Sequence, residues 1–439
     1  MGSRCPVTFP GATGSPRLDS LDALRGVALL GILLMNITGF GLADAYEVPT
    51  SATPGPELWA WAAEMLLVEG TMRGLFTLLF GASVVLYVQG LERAGSGAQA
   101  AGLYYRRTVW LLLFGLCNAY VLVWSGDILV WYGVAGLFLY AFRNLAPRRL
   151  LVCAIPLLCL QTLVGIAVYS AEQDSVARGE RAYLLQAQGV ALDEAQGADL
   201  EARRERLEAV AARPSERLAK SEAMRAGYAA AFRENAAEAW YYQTVFLPKF
   251  ALCECLGMML LGMALLKSGA LTGEWSVRRY LLMLGSGWSI GLLVNFLEVR
   301  HQILSGFSDD AVMSAWLVTY DLGRIPLTLG HFACILLLLK AAPGARAWAA
   351  LESVGRMALT NYLAHSIIAL FLFTGAGLAL YGRLQRHELY YVVLAIWLLQ
   401  LAWSPWWLKR FRYGPMEWLW RSLTRRERQP WRIVSAGSP

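Results

Sequence analysis

Long apolar runs limit the fold of this chain more than any other feature. Segments of roughly twenty apolar residues, the length that crosses about 30 Å of hydrocarbon as a helix, begin near residues 23, 71, 108, 128, 149, 250, 279, 318, 357 and 389. Hydrophobic residues make up 57% of the 439 residues and charged residues only 16%, which excludes a soluble domain. Because a helix satisfies its own backbone hydrogen bonds in lipid, the sequence predicts an all-α, polytopic transmembrane helical bundle of about ten spans.

The distribution of charge predicts how the bundle is oriented. Basic residues gather in alternate loops, for example at Arg148 and Arg149, whereas the other short loops hold mainly acidic residues such as Asp127. Under the positive-inside rule this pattern predicts that both termini are cytoplasmic, with Arg383 and Arg386 as exceptions. The net charge of +7 therefore reflects topology and contact with membrane lipids. No nucleic-acid partner is predicted.

Composition also divides the chain into segments. The polar stretch between the fifth and sixth spans is rich in Ala, Glu and Arg, which favour helix. It is predicted to be either a solvated helical hairpin or a lid over a substrate groove. The seven cysteines are mostly scattered inside apolar segments without metal-ligand spacing, so no metal is predicted. The predicted segments are a cytoplasmic N-terminal segment (1–22), helices 1 to 5 (23–170), an extracytoplasmic helical insertion (171–239), helices 6 to 10 (240–410), and a cytoplasmic interfacial helix with a basic tail (411–439).

Two pairs of opposite charges lie within or beside the apolar segments. Ionisable side chains at bilayer depth cost a few kcal/mol each and usually pair or line a cavity. Glu69 and Arg73 are four residues apart, and Asp321 and Arg324 are three apart, so each pair is predicted to face itself along one helix. Pro326 follows and is expected to kink or open its helix. Each pair is either a self-neutralised structural pair or part of a site.

Five further polar residues are candidates for chemistry. Asn36 lies deep in the first span, and Asp127 lies in a Ser-Gly-Asp turn, where it caps the fourth helix, orients a ligand, or does both. His331 and His365 lie within spans, and Asn361 precedes His365 by one turn. Such histidines either pack helices through hydrogen bonds or act as acids and bases near neutral pH.

Six motifs in order along the chain carry a resemblance. "LDALRGVALLGILLMNI", "FTLLFGA", "GDILVWYGVAG", "LGMMLLGMALLKSGAL", "GRMALTNYLAHS" and "GPMEWLWRSLT" resemble the YeiB-like family of bacterial inner-membrane proteins, a domain-of-unknown-function family. That family is distantly similar to transmembrane acyltransferases such as heparan-alpha-glucosaminide N-acetyltransferase, which moves acetyl from cytoplasmic acetyl-CoA to a sugar. The shared opening contains Asp22, Arg25, Gly26 and Asn36, and the resemblance implies that Asn36 lies near a reaction centre. Asp22 and Arg25 either meet the phosphates of the donor at the cytoplasmic mouth, or Asp22 caps the first helix and pairs with Arg25 at i,i+3 without a ligand. Those acetyltransferases place a catalytic His after the first helix, whereas this chain has none between residues 40 and 70.

The resemblance implies an acyltransferase of the bacterial inner membrane. It would move an acyl group, expected to be acetyl, from cytoplasmic acyl-CoA to a cell-envelope glycan or small acceptor. Guanidinium groups would hold the phosphates of the donor; the alternative for those arginines is topology and lipid headgroups. A transporter or flippase of a small or lipid-linked substrate, or a non-catalytic scaffold, remains an alternative, and a homo-oligomer is left open.

The candidate residues are predicted to line one hydrated chamber that is reached from the cytoplasm, where they have three roles. Candidates for catalysis are Asn36, Glu69, Asp127, His331 and His365; for cofactor binding they are Arg25, Arg106, Arg107, Arg148 and Arg149; and for substrate binding they are Arg73, Asp321, Arg324 and Asn361.

Overall fold

The protein is almost entirely helical. The computed structural model describes residues 16–43, 48–49, 52–95 and 97–433, so most of the predicted N-terminal segment lies outside the described residues. Helices account for nearly all regular structure in these ranges, and the all-α prediction is confirmed. The helices are α1 Pro16–Gly41, α2 Pro56–Leu67, α3 Thr71–Arg93, α4 Ala100–Leu116, α5 Ile128–Leu139, α6 Pro147–Ala187, α7 Glu194–Ala226, α8 Tyr228–Tyr241, α9 Leu252–Lys267, α10 Val277–Leu304, α11 Asp309–Ser314, α12 Tyr320–Ala341, α13 Arg346–Arg356, α14 Ala358–Phe373, α15 Arg386–Leu408 and α16 Pro415–Arg425.

Several helices are long and apolar enough to cross a membrane, which identifies a multi-pass membrane protein. Among the described residues seven helical stretches meet this requirement, and an eighth is counted if α13 and α14, bent by 78° at their junction, form one broken span. The spans predicted to begin near residues 108 and 128 are not among the span-like stretches: α4 continues through π turns to Val121 but carries Arg106 and Arg107, and α5 with the turn that follows it covers only Ile128–Phe142, fewer residues than the roughly twenty that a span needs. The predicted count of ten spans is therefore not confirmed. The seven stretches are Asp19–Gly41, Pro56–Arg93, Pro147–Ala187, Tyr228–Lys267, Val277–Leu304, Asp309–Ala341 and Arg386–Leu408.

The bundle has two distinct ends. We call the end where α1 begins, α15 ends and α16 lies the terminal end, and the end covered by α7 and α8 the insertion end. The helix α6 continues without a break through residue 171, where the sequence predicts a boundary, and α7 returns along it through ion pairs such as Arg206 with Glu172 at 2.8 Å. Asn235 of α8 donates to the carbonyl of Ala119 at 2.7 Å. The insertion is thus attached to the outer turns of the bundle.

The space beneath the insertion is small. A cavity of about 20 Å³ lies between α8 and the ends of α1 and α14, with Phe40, Trp124 and Asn235 in its lining. That volume holds about one water molecule. In this arrangement the insertion covers the bundle closely and leaves no substrate-sized groove at this position.

Glycines bring the central helices into close contact. A Cβ atom on Gly81 would overlap the backbone of Met259, and one on Gly262 would overlap the backbone of Leu78. Small residues allow this approach of α3 and α9, which is typical of helices packed in a membrane. The close crossing lets a side chain near the start of α3 reach a partner on α9.

Candidate functional site

Buried charged residues lie together in the half of the bundle nearer the insertion end. Three arginines each bind a glutamate on a different helix, so the ion pairs tie α3 to α9, α15 to α2 and α12 to α10. The side chains are at most 14% exposed. We call these residues, with Glu69, Tyr320 and Asp321, the charged network. The pairs are Arg73 with Glu254 (2.8 Å), Arg386 with Glu64 (2.8 Å), and Arg324 with Glu298.

The predicted pair of Glu69 with Arg73 is wrong. Gly70 has a φ of +70° and separates α2 from α3, so the i,i+4 register of a continuous helix is lost. Glu69 instead accepts a hydrogen bond from the hydroxyl of Tyr320 at 3.0 Å. Arg73 turns to Glu254 and also donates to the same hydroxyl at 3.4 Å. Tyr320 therefore links the two residues that the sequence predicted to bond directly.

The predicted pair of Asp321 with Arg324 is also wrong. Arg324 binds Glu298 on α10, and its guanidinium lies 4.3 Å from the ring centroid of Tyr320. Asp321 is hydrogen-bonded to the side chain of Thr162, and the charges of Glu254, Arg73 and Arg324 act on it. The helix α12 runs through Pro326, and the wider π turns precede it at residues 315–319.

The charged network holds more carboxyl groups than guanidinium groups. Its five acids are Glu64, Glu69, Glu254, Glu298 and Asp321, against three arginines. Five members of the charged network are not among the residues predicted from sequence: Glu64, Glu254, Glu298, Tyr320 and Arg386. The presence of acidic residues inside apolar runs is the sequence feature that could have identified them. Arg386, an exception to the positive-inside pattern, is explained by its buried partner Glu64.

Asp127 has a positioning role. Its Oδ2 accepts from the backbone N–H of Val130 at 2.9 Å, so the predicted helix cap is confirmed. Its Oδ1 accepts from the amide of Asn118 at 2.7 Å and from the hydroxyl of Tyr362 at 3.4 Å. The carboxylate is 2% exposed, and these bonds fix the start of α5 against α4 and α14.

The two predicted histidines differ in the state of their ring nitrogens. His331 lies 2.8 Å from the carbonyl of Leu67 through Nε2 and accepts from the indole N–H of Trp288 at Nδ1, at 3.0 Å. A carbonyl only accepts and an indole only donates, so both nitrogens of a neutral ring are occupied. His331 packs α12 against α2 and α10.

His365 keeps one nitrogen free. The amide nitrogen of Gln400 donates to the carbonyl of Asn361 at 3.1 Å, which turns the Gln400 oxygen toward Nε2 of His365, also at 3.1 Å. The proton therefore lies on Nε2, and Nδ1 carries a lone pair. His365 is 1% exposed, and no partner for Nδ1 exists in the part of the chain that the structure describes.

Two more buried polar atoms, one on α1 and one on α14, lack hydrogen-bond partners among the described residues. Nδ2 of Asn36 on α1 and Oγ of Ser366 on α14 make no hydrogen bond within the described ranges. The helices α1 and α14 pack against one another, and buried polar atoms are rarely left unbonded without a reason. We call Asn36, His365 and Ser366 the α1–α14 site. Asn361 is instead committed to structural bonds with Ser404 and the carbonyl of Val354.

Arginines collect at the terminal end. Arg25 binds Asp22 at 2.6 Å and the hydroxyl of Ser83 at 2.7 Å, which confirms the predicted alternative of a local ion pair. The helix α1 begins at Pro16, so Asp22 is not its cap. Arg107 lies between the rings of Tyr87 (4.7 Å) and Trp420 (3.5 Å).

Arg107 has no neutralising carboxylate among the residues that the structure describes. No ion pair to Arg107 occurs among the residues that the structure describes, and the nearby charges that act on it include those of Arg421 and Arg25. We call Arg25, Arg107 and Arg421 the arginine cluster. Arg148 and Arg149 are exposed in the first turn of α6, a helix that packs on α9, and lie outside this cluster.

The helix α16 joins the terminal end to the α1–α14 site. Glu417 accepts from the backbone N–H groups of Leu359 (2.7 Å) and Thr360 (3.0 Å) at the start of α14, and from the Thr360 hydroxyl at 2.6 Å. Burial raises the pKa of Glu417, against the opposing effect of these hydrogen bonds. Arg106 donates to the carbonyl of Thr424 at 3.1 Å and so attaches α4 to α16.

The predicted candidates therefore fall into separate places. The charged network and the α1–α14 site lie within the bundle, the arginine cluster lies at the terminal end, and Asp127 and His331 hold helices together. The expected single chamber does not describe this arrangement of bonds.

Known proteins are similar to this chain over most of its length. The family model "Protein of unknown function (DUF418)" matches residues 265–427. "Uncharacterized protein YxaH" of Bacillus subtilis (strain 168) is 29% identical over 421 residues, 94% of this chain and 96% of that protein. "Uncharacterized protein YeiB" of Escherichia coli (strain K12) is 30% identical over 418 residues, 94% of this chain and 97% of that protein. No solved structure matches.

Proposed function

The chain belongs to the YeiB-like family, and from that premise we propose that it is a membrane-embedded acyltransferase using acyl-CoA. It would move an acyl group, expected to be acetyl, to a cell-envelope glycan or small acceptor. The observation that carries the proposal is Nδ1 of His365, a buried imidazole nitrogen whose lone pair is left free by a fixed tautomer. An imidazole in this state is suited to accept a proton.

The α1–α14 site offers the groups that acyl transfer needs. His365 Nδ1 takes the proton of an acceptor hydroxyl while the oxygen of that hydroxyl bonds to the thioester carbonyl carbon. The amide Nδ2–H of Asn36 donates to the carbonyl oxygen as negative charge develops there. The carbon–sulfur bond then breaks, and the proton held on Nδ1 passes to the leaving thiolate. The products are an ester and free CoA, so atoms and charge balance.

The arginine cluster supports a donor site at the terminal end, which would face the cytoplasm. Guanidinium groups bind phosphate through charge-assisted hydrogen bonds, and Arg107 has its charge uncompensated by a carboxylate among the described residues. His365 lies seven residues into α14, about 10 Å from the start of that helix at a rise of 1.5 Å per residue. A donor held by the arginines would extend its thioester along α14.

Transport is the second candidate, and the charged network is the observation that favours it. Four buried carboxyl groups and the half-buried Asp321 lie near three arginines, and intramembrane charges of this kind commonly line ion pathways. In this alternative the network carries the function and the free nitrogen of His365 has no chemical role.

Labelling of the cell envelope would separate these candidates. Cells that express the wild type are grown with radiolabelled acetate, and acyl incorporation into envelope glycans and small molecules is compared with that of His365→Gln and of His331→Gln. We expect His365→Gln to lower incorporation at least a hundredfold, because general-base catalysis contributes roughly 10² to 10⁴. His331→Gln, normalised to protein amount, should retain it. Equal incorporation by His365→Gln and the wild type would refute the proposal.

A further inference from the structure

A groove between α4 and α16 at the terminal end has a distinct composition. It has a volume of about 410 Å³, within the range of small-molecule sites. Three arginines and two tryptophans contribute to its lining, together with a single carboxylate. The residues are Arg106, Trp110, Trp418, Ser422, Leu423, Arg426, Glu427 and Arg428.

The fold of the C-terminal segment builds one wall of this groove. The chain turns back after α16 at Arg426, whose φ is 55°. The indole of Trp418 donates to the carbonyl of Gln429 at 2.8 Å, and the Gln429 N–H donates to the hydroxyl of Ser422 at 3.2 Å. These bonds hold Arg426 and Arg428 opposite α4. The groove is therefore formed before any ligand arrives.

The groove adjoins an apolar stripe on α4. Tyr105, Val109 and Leu113 are 40%, 46% and 41% exposed, and their spacing of four places them along one side of the helix. Arg106 and Trp110 follow Tyr105 and Val109 by one residue each, so the groove and the stripe share a border. In a membrane protein an exposed apolar stripe contacts acyl chains, and tryptophan is enriched at the headgroup level.

We propose that this groove binds the phosphate headgroup of one anionic phospholipid, with the acyl chains along Tyr105, Val109 and Leu113. Arg426 and Arg428 provide the charge that recognises the phosphodiester, and Glu427 lowers the local charge so that one monoanionic headgroup suffices. Trp110 and Trp418 flank the headgroup. The groove and the arginine cluster have no residue in common, and the lipid site does not rest on the proposed acyl transfer.

Native mass spectrometry of the delipidated protein tests the proposal. Phosphatidylglycerol or phosphatidylcholine is added to the wild type, to the double variant Arg426→Gln/Arg428→Gln, and to the control Arg278→Gln, which removes an exposed arginine elsewhere at the same end. The melting temperatures of the lipid-free variants establish that they fold. Arg106 is left unchanged because it bonds to α16.

We expect one phosphatidylglycerol to bind the wild type and Arg278→Gln at least tenfold more tightly than phosphatidylcholine, and the double variant to lose this preference. Equal binding of both lipids, or an equal loss in Arg278→Gln, would overturn the proposal. Inorganic phosphate and acetyl-CoA are added as competitors, and neither should release the lipid. Release by either would assign the groove to a soluble phosphorylated ligand and refute the lipid site.

Discussion

Removing one partner of the Arg386–Glu64 pair should destabilise the protein strongly. The two side chains are 2% and 3% exposed and 2.8 Å apart. Arg386→Met therefore leaves a buried carboxylate whose remaining partner among the described residues is the hydroxyl of Tyr390, also at 2.8 Å. Breaking a buried ion pair costs about 3–5 kcal/mol. With an unfolding entropy of roughly 2.1 cal/mol/K per residue, this lowers the melting temperature by about 3–6 °C.

A variant that lacks both partners distinguishes the effect of an uncompensated buried charge on stability from the effect of lost packing. Replacing both partners by apolar residues, Arg386→Met with Glu64→Leu, should recover most of the loss, because no buried charge remains. The melting temperature of each variant and of the control is measured in detergent by tryptophan fluorescence during heating. The control Arg204→Met breaks an exposed pair with Glu201, 60% and 57% exposed, and should change stability little. A double variant that is less stable than Arg386→Met alone would refute the reasoning.

Three other changes have defined outcomes. Gly70→Ala should lower the melting temperature, because its φ is +70° and a Cβ would lie 2.5 Å from the Tyr320 hydroxyl; hydrogen exchange at residues 69–73 should rise with it. Asp127→Ala should cost about 1–3 kcal/mol in thermal unfolding, because it removes a cap and leaves buried donors unbonded. Burial raises the pKa of Glu417, so its stabilising contribution is complete below the unfolded-state pKa of about 4.3 and is lost as pH rises through the folded-state pKa. The melting temperature of the wild type minus that of Glu417→Gln should therefore fall with rising pH; a constant difference would contradict the shift.

The fold class was accessible from sequence because apolar segment length is a strong local signal. The cap at Asp127 and the pair of Asp22 with Arg25 were also predicted, since each depends on residues within one turn. The count of ten spans is not confirmed, because the helix that contains α4 carries Arg106 and Arg107 and the apolar helix that begins with α5 ends at Phe142.

The partners of the buried charged residues could not be predicted from sequence in the same way. Arg73 and Arg324 each have an acid within four residues, yet each bonds to a glutamate on another helix. Spacing along the sequence predicts contacts between side chains of the same helix, whereas these ion pairs depend on which helices pack together. The break at Gly70 also changed the register between Glu69 and Arg73, and a single glycine in an apolar run gives little warning of this.

Binding of acetyl-CoA to the purified protein in nanodiscs tests the central proposal most directly. Isothermal titration should detect one site in the wild type. Its affinity should fall roughly 10- to 100-fold in Arg107→Gln, the loss of a charge-assisted bond worth about 1.5–3 kcal/mol. Arg149→Gln, which removes an exposed arginine at the same end, should bind as the wild type does. Absence of binding to the wild type, or equal affinity in Arg107→Gln, would contradict the proposed donor site.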